Sequence, residues 1–147
     1  MLIPVVWVVL IDKDRFLLSQ RSYSDVAGGS WVFPGGKVDG NDTTYVLAAY
    51  RKLNEKVGIE GKRFRSLYNI NVEKYNINIF LCDKWSNIPY PACSDIIGVG
   101  WFNLQEMHTI TNLLSPFISK NLLFFSYMMQ HYDNHRDKWA SEWIQHR

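Results

Sequence analysis

The residues best suited to chemistry lie between positions 35 and 56. Trp31-Val32-Phe33-Pro34 leads into Gly35-Gly36, and a later run, Arg51-Lys52-Leu53-Asn54-Glu55-Lys56, is closed by Gly58-Ile59. Arg51 and Glu55 stand at i and i+4. On a helix that makes them neighbours, and at an exposed site such a pair stabilises by roughly a few tenths of a kcal/mol. Lys52 and Lys56 share the spacing and, taken alone, read as a solvated face. Gly35 and Gly36 read first as a turn. His131 and His135 are also i, i+4, a spacing that can ligate zinc. The segment His131-Tyr132-Asp133-Asn134-His135 lacks the acidic base of a metalloprotease pattern, so a polar helix face is expected there. Cys82 reads as a core or edge thiol. The chain shows no nucleophile elbow and no phosphate-binding glycine loop of the NTPase kind.

These residues need elements to position them. Residues 3–11, rich in Val and Ile, predict a buried strand, and Phe16 to Arg21 a second one paired with it as a hairpin across Lys13-Asp14. Ser22 to Ser30 is a loop. Trp31 to Phe33 is a short strand end, cut by Pro34-Gly35-Gly36, where the chain is expected to turn sharply. A helix is predicted from about Thr44 to Val57. Asp42, Thr43 or Thr44 caps its start, and Gly58 takes the left-handed position past its end. Val46, Ala49, Leu53 and Val57 fall at helical spacing and are expected to face the core, with Arg51, Lys52, Glu55 and Lys56 on the other side. Leu67 to Glu73 and Asn76 to Asp83 alternate and predict a hairpin across Lys74-Tyr75. A strand over Val99–Phe102 and a helical turn from Leu104 to His108 follow. A C-terminal helix starts near Ser115-Pro116, with an apolar stripe through Phe125, Met129, Tyr132, Trp139 and Trp143 that only Arg136 breaks. Strands, helix, strands, helix imply an α+β domain with a mixed sheet.

Composition agrees with a globular fold. The 147 residues are 47% hydrophobic and 20% charged, which excludes a wholly disordered or fibrous chain. A net charge of +2 offers no electrostatic case for a nucleic acid polymer as partner. Two cysteines, Cys82 and Cys93, do not make a disulfide framework, and a reducing cytoplasm is expected. The apolar start stops at Asp12, too early for a membrane span, so no membrane partner is expected. Length alone suggests one domain.

The ordered set Trp31-x-Phe33-Pro34-Gly35-Gly36-Lys37-Val38, loop, helix, Arg51-x-Leu53-x-Glu55-x-x-Gly58-Ile59 resembles the Nudix (MutT-like) hydrolase family. The resemblance covers most of residues 3–108, with the box at about 36–59 and a C-terminal helical segment at about 115–145. It implies a Nudix-type α/β/α sandwich with a mixed sheet, as a single domain over 1–147. It also implies metal-assisted attack of water on the phosphoanhydride of a nucleoside diphosphate linked to another moiety. In the family box, carboxylates on one helix hold Mg²⁺ or Mn²⁺, which neutralise the diphosphate and acidify the attacking water.

Laid on this sequence, Gly36 opens the box, Asp42 takes the first glutamate position and Arg51 is the box arginine. Glu55 is the first of the paired glutamates. Counting back from the helix would instead put Thr43 at the first glutamate position. Two places depart from the pattern: Lys52 and Lys56 stand where glutamates belong. The resemblance thus implies Glu55 and Arg51 as catalytic residues. It implies Gly35, Gly36, Asp42, Glu55 and Asp95 as metal-binding residues, Asp95 being the nearest acid outside the box, ahead of Glu73 and Glu106. Arg21, Trp31, Phe33, Lys52 and Lys56 are implied as substrate-binding residues for a nucleotide-type small molecule.

Three readings follow: a working hydrolase with relocated ligands; a site where the two ammonium groups clamp a diphosphate and partly replace the metal; or an interaction module without turnover. The excess of aromatic residues after Pro116 suggests a hydrophobic partner surface, with a homodimer as one form of it.

Overall fold

The computed structural model describes residues 1–24 and 28–130. The first hairpin joins β1 (Ile3–Asp12) to β2 (Arg15–Arg21), and Lys13 at its tip adopts φ +59°. The two strands pair only next to the turn, Ile11 with Phe16 and Asp12 with Arg15. Beyond that they splay, and the segment 31–37 fills the gap. Its first part, β3 (Trp31–Val32), pairs with β2, and its second, β4 (Gly35–Lys37), pairs with β1. Pro34 between them accepts a hydrogen bond from the Val8 amide at 2.8 Å. Pro34-Gly35-Gly36 is therefore not simply the sharp turn expected. It carries the chain across from one strand to the other and continues as a strand.

The helix α1 (Tyr45–Val57) starts at Thr44, whose Oγ1 accepts from the Leu47 amide, and ends at Gly58 with φ +71°. Its buried residues are Ala48, Ala49, Leu53 and Val57. Val46, expected in the core, is 39% exposed, because the buried stripe begins at Ala48 and Ala49 and runs to Val57. The lysines also depart from expectation. Their side chains are only 15% (Lys52) and 13% (Lys56) exposed, so they flank the buried stripe instead of standing in solvent.

Strands β5 (Glu60–Val72) and β6 (Tyr75–Ser86) form the second hairpin, longer than the alternation predicted, with Glu73 at φ +54° in its turn. β6 runs parallel to β1 from Ile3↔Tyr75 to Leu10↔Cys82. β7 (Ile96–Asn103) pairs with β2 along most of its length. The mixed sheet runs β3-β2-β1-β6-β5, with β4 on β1 and β7 on β2. Asn78, buried at the β6 centre, donates to the Val5 carbonyl and meets Asn69 across the hairpin, which helps hold this register.

Alternation along β1 divides the core between two faces. Val6, Val8 and Leu10 pack under α1 with Leu53 and Val57. Val5, Val9 and Ile11 face the other layer, made by α2 (Leu104–Thr109), a 3₁₀ turn at Thr111–Leu113, α3 (Pro116–Lys120) and a helical segment at 122–130. This is the α/β/α sandwich that the sequence implies. The expected C-terminal helix is interrupted at Asn121, after which the chain resumes as helix.

Phe125 is fully buried among Phe16, Phe33, Phe117 and Phe124. These aromatics cover the sheet, so that part of the stripe is core and not a partner surface. Each large side chain buried this way contributes about 1.5–3 kcal/mol before entropy is counted. Tyr132, Arg136, Trp139, Trp143 and both of His131 and His135 lie outside the described residues, so the rest of the stripe and the helix-face reading of the two histidines fall there too. Among the described residues no helix is long and apolar enough to cross a membrane.

Candidate active site

The site forms where β4 passes beneath α1. Gly35 lies so close to β1 that a Cβ there would collide with the Val6 carbonyl oxygen. Gly36, next along β4, is covered by a lysine: a Cβ added to it would stand 3.0 Å from Cε and 3.3 Å from Nζ of Lys52. The glycine pair thus lets β4 approach both the sheet and the helix.

From here an alternating chain of charges crosses the outside of α1. Arg51 grips Asp42 with two hydrogen bonds, Nε to Oδ1 at 3.0 Å and Nη2 to Oδ2 at 2.7 Å. Its remaining arm, Nη1, donates to Glu55 Oε2 at 2.9 Å. Glu55 Oε1 accepts from Lys52 Nζ at 3.3 Å and stands 3.9 Å from Lys56 Nζ. Lys56 Nζ donates to Asp95 Oδ2 at 2.7 Å. The bond from Arg51 holds the Asp42 carboxyl down at about 2, and the same bond raises the Arg51 pKa.

Asp95 reaches this chain because its loop is docked on the end of α1. The Tyr90 amide donates to the Val57 carbonyl and the Ala92 amide to the Lys56 carbonyl, each at 3.0 Å. Asn87 Nδ2 donates to the Gly58 carbonyl. Those three bonds satisfy carbonyls left open at the helix C-terminus. The box resemblance pointed to Asp95, but not to the loop docking that joins residues so far apart in the chain.

The structure brings together Gly35, Gly36, Asp42, Arg51, Lys52, Glu55, Lys56 and Asp95. It leaves the other candidates elsewhere. Thr43 is exposed beside the cap, and Asp42 is the residue that meets the arginine. Glu73 lies in the β5–β6 turn, and Glu106 closes a capping box with Asn103. Phe33 is 1% exposed, packed on Trp7, Phe16 and Phe125. Trp31 is half-buried and packs edge-on against Phe102, with ring centroids 4.9 Å apart. Arg21, half-buried at the end of β2, is the exception: it pairs with Ile96, next to Asp95, and the amide of the following Ser22 donates to the Asp95 carbonyl at 2.8 Å.

The donor set does not suit a divalent cation. Among the described residues no three His, Cys, Asp or Glu side chains converge on one point. A cation already stands between neighbouring carboxylates of the chain: Arg51 between Asp42 and Glu55, Lys56 between Glu55 and Asp95. A metal on Glu55 would sit close to two ammonium groups. Two unit charges about 4 Å apart repel by about 4 kcal/mol at an effective dielectric of about 20, less where solvent screens them.

The architecture defines a class. The chain matches the MutT Nudix hydrolase structure from Burkholderia pseudomallei with a TM-score of 0.66 at 24% identity, over 72% of this chain and 86% of that one. It matches the Nudix domain of Shewanella oneidensis NrtR, solved with ADP ribose, with a TM-score of 0.70 at 19% identity, over 87% and 88%. The NUDIX domain family model matches residues 1–120, and the chain belongs to the Nudix family. A sequence relative, the 8-oxo-dGTP diphosphatase of Proteus vulgaris, is 31% identical over 84 residues, which span 54% of this chain and 74% of that protein.

Proposed function

We propose that this protein takes a nucleoside diphosphate joined to another moiety at the β4–α1 site and hydrolyses its phosphoanhydride. Family membership supports the reaction class. The names of relatives support a nucleotide ligand: an 8-oxo-dGTP diphosphatase in one case and an ADP-ribose complex in another. The observation that carries the reading is the Arg51 fork. It fixes Asp42 with two bonds and orients Glu55 with the third, which supports a positioning role for Arg51.

Glu55 is the group for the chemistry. Its carboxylate is 41% exposed and is oriented by Arg51. As a base it takes a proton from water as the water oxygen bonds to phosphorus. The anhydride P–O bond breaks, and the leaving phosphate oxygen carries away the electron pair. The test is a panel of nucleoside triphosphates, dinucleotides, nucleotide sugars and ADP-ribose, with Glu55→Gln beside the wild type. General-base loss costs about 10²–10⁴ in rate. Wild-type turnover no faster than the variant's on every substrate would end the hydrolase reading.

A second reading, nucleotide binding without turnover, draws on the same site. Every carboxylate in it is already ion-paired, and the donor set does not suit the metal that the family reaction uses.

A further inference from the structure

On the reading that a phosphoanhydride sits at this site, we infer that the ammonium groups of Lys52 and Lys56 take the place of the divalent cation, so the phosphates are bound without metal. The two lysines meet three of the five residues that the box resemblance assigns to a metal: Gly36, Glu55 and Asp95. Lys52 Nζ contacts Glu55 and lies over the Gly36 backbone. Lys56 Nζ bridges Asp95, on a loop far along the chain, and Glu55. One divalent cation and two ammonium groups carry the same charge, and here the charge is delivered by covalently tethered side chains.

Burial makes the pair specific. Both side chains are largely covered, and their stems run along the α1 face towards β4 and the Asp95 loop. Their heads are thereby held at one place, as a metal would be. An ammonium group has three N–H donors. Among the described residues Lys52 donates to Glu55 and Lys56 to Asp95, which leaves donors on both for phosphate oxygens.

The local charge permits exchange. Arg51, Lys52 and Lys56 balance Asp42, Glu55 and Asp95, so no excess of carboxylate repels an incoming phosphate. Asp95 is the most exposed member of the cluster and lies on a loop. It can turn to water while a phosphate oxygen takes its place on Lys56, whereas Asp42 is held by two bonds and stays.

The experiment is titration calorimetry of the wild-type protein with dGTP and with inorganic pyrophosphate, in EDTA and in excess Mg²⁺. We expect dGTP to bind in EDTA within about threefold of its affinity in Mg²⁺, and Lys52→Ala with Lys56→Ala to lose about tenfold or more in EDTA. Lys52→Glu with Lys56→Glu should reverse the preference, binding Mn²⁺ by electron paramagnetic resonance where the wild type does not. Wild-type binding that appears only with Mg²⁺ overturns the inference and leaves the proposed function standing. An alanine pair that binds in EDTA as tightly as the wild type overturns it too. No binding of either probe in either buffer overturns the inference, and the substrate panel alone then decides the proposed function. The wild-type comparison needs no variant, so a failure of the glutamate pair to fold leaves the test intact.

Discussion

Arg51 and Asp42 are joined by a two-bond fork, Nε to Oδ1 and Nη2 to Oδ2, with the carboxylate almost fully covered. This pair ties the loop after β4 to the middle of α1. It makes the entry to the helix part of the site, and it makes that entry sensitive to acid.

The Asp42 carboxyl is held at about 2, against an ordinary value of 3.8. As pH falls, the unfolded chain binds this proton first. The stability that the pair contributes is therefore complete above about pH 4 and is lost as pH falls towards about 2. Asp42→Asn should be less stable than the wild type at neutral pH, and the gap should close across that window. Urea melts at a series of pH values measure it, and a constant gap down to pH of about 2 would contradict it.

Gly58 ends α1 in the left-handed region, and the Tyr90 ring lies where its Cβ would go. Gly58→Ala should destabilise by about 1–2 kcal/mol through backbone strain alone, with the clash added. Combining it with Tyr90→Ala should recover the clash component only. Thermal denaturation of the two variants separates the components. Equal losses in both would mean that the ring yields freely.

Phe125 should behave as core. Phe125→Ala is expected to cost about 3–5 kcal/mol. Leu123→Ala, two residues away and 86% exposed, should fall within about 0.5 kcal/mol of the wild type. Denaturant midpoints decide the matter. A mild effect at Phe125 would mean that this layer is not packed on the sheet.

The two cysteines should differ in reactivity. Burial beneath α1 pushes the Cys82 thiol up to about 11, whereas Cys93 is half-buried in the loop that leads to Asp95. A thiol-disulfide reagent at about pH 8 should label Cys93 in the native protein and reach Cys82 only on unfolding. Equal labelling rates would show that the sheet face under α1 opens readily.

Local chemistry was legible in the residues themselves. Val and Ile content marks β1, and Thr44 and Gly58 bracket α1, because strand preference and capping depend on near neighbours. The Arg51–Glu55 pair follows from helical spacing, and the ordered box residues point to the sandwich. Even there the choice among Asp42, Thr43 and Thr44 needed the structure, since all three lie within reach of the helix start. Asp42 turned to the arginine and Thr44 became the cap.

Tertiary structure decided the rest. Nothing local predicts that β1 and β2 splay and admit the segment 31–37, because that depends on pairing with strands on both sides. Nor does spacing predict that Lys56 meets Asp95, or that Lys52 lies over Gly36. Those contacts arise when a loop docks on a helix end and a glycine strand slides under a helix. By itself the sequence determined which charges the box carries, including the two lysines. Only packing decided that those lysines are tucked against the carboxylates, with Lys52 over the glycine strand, since a side chain's partner is set by what the fold brings within a few ångströms of it.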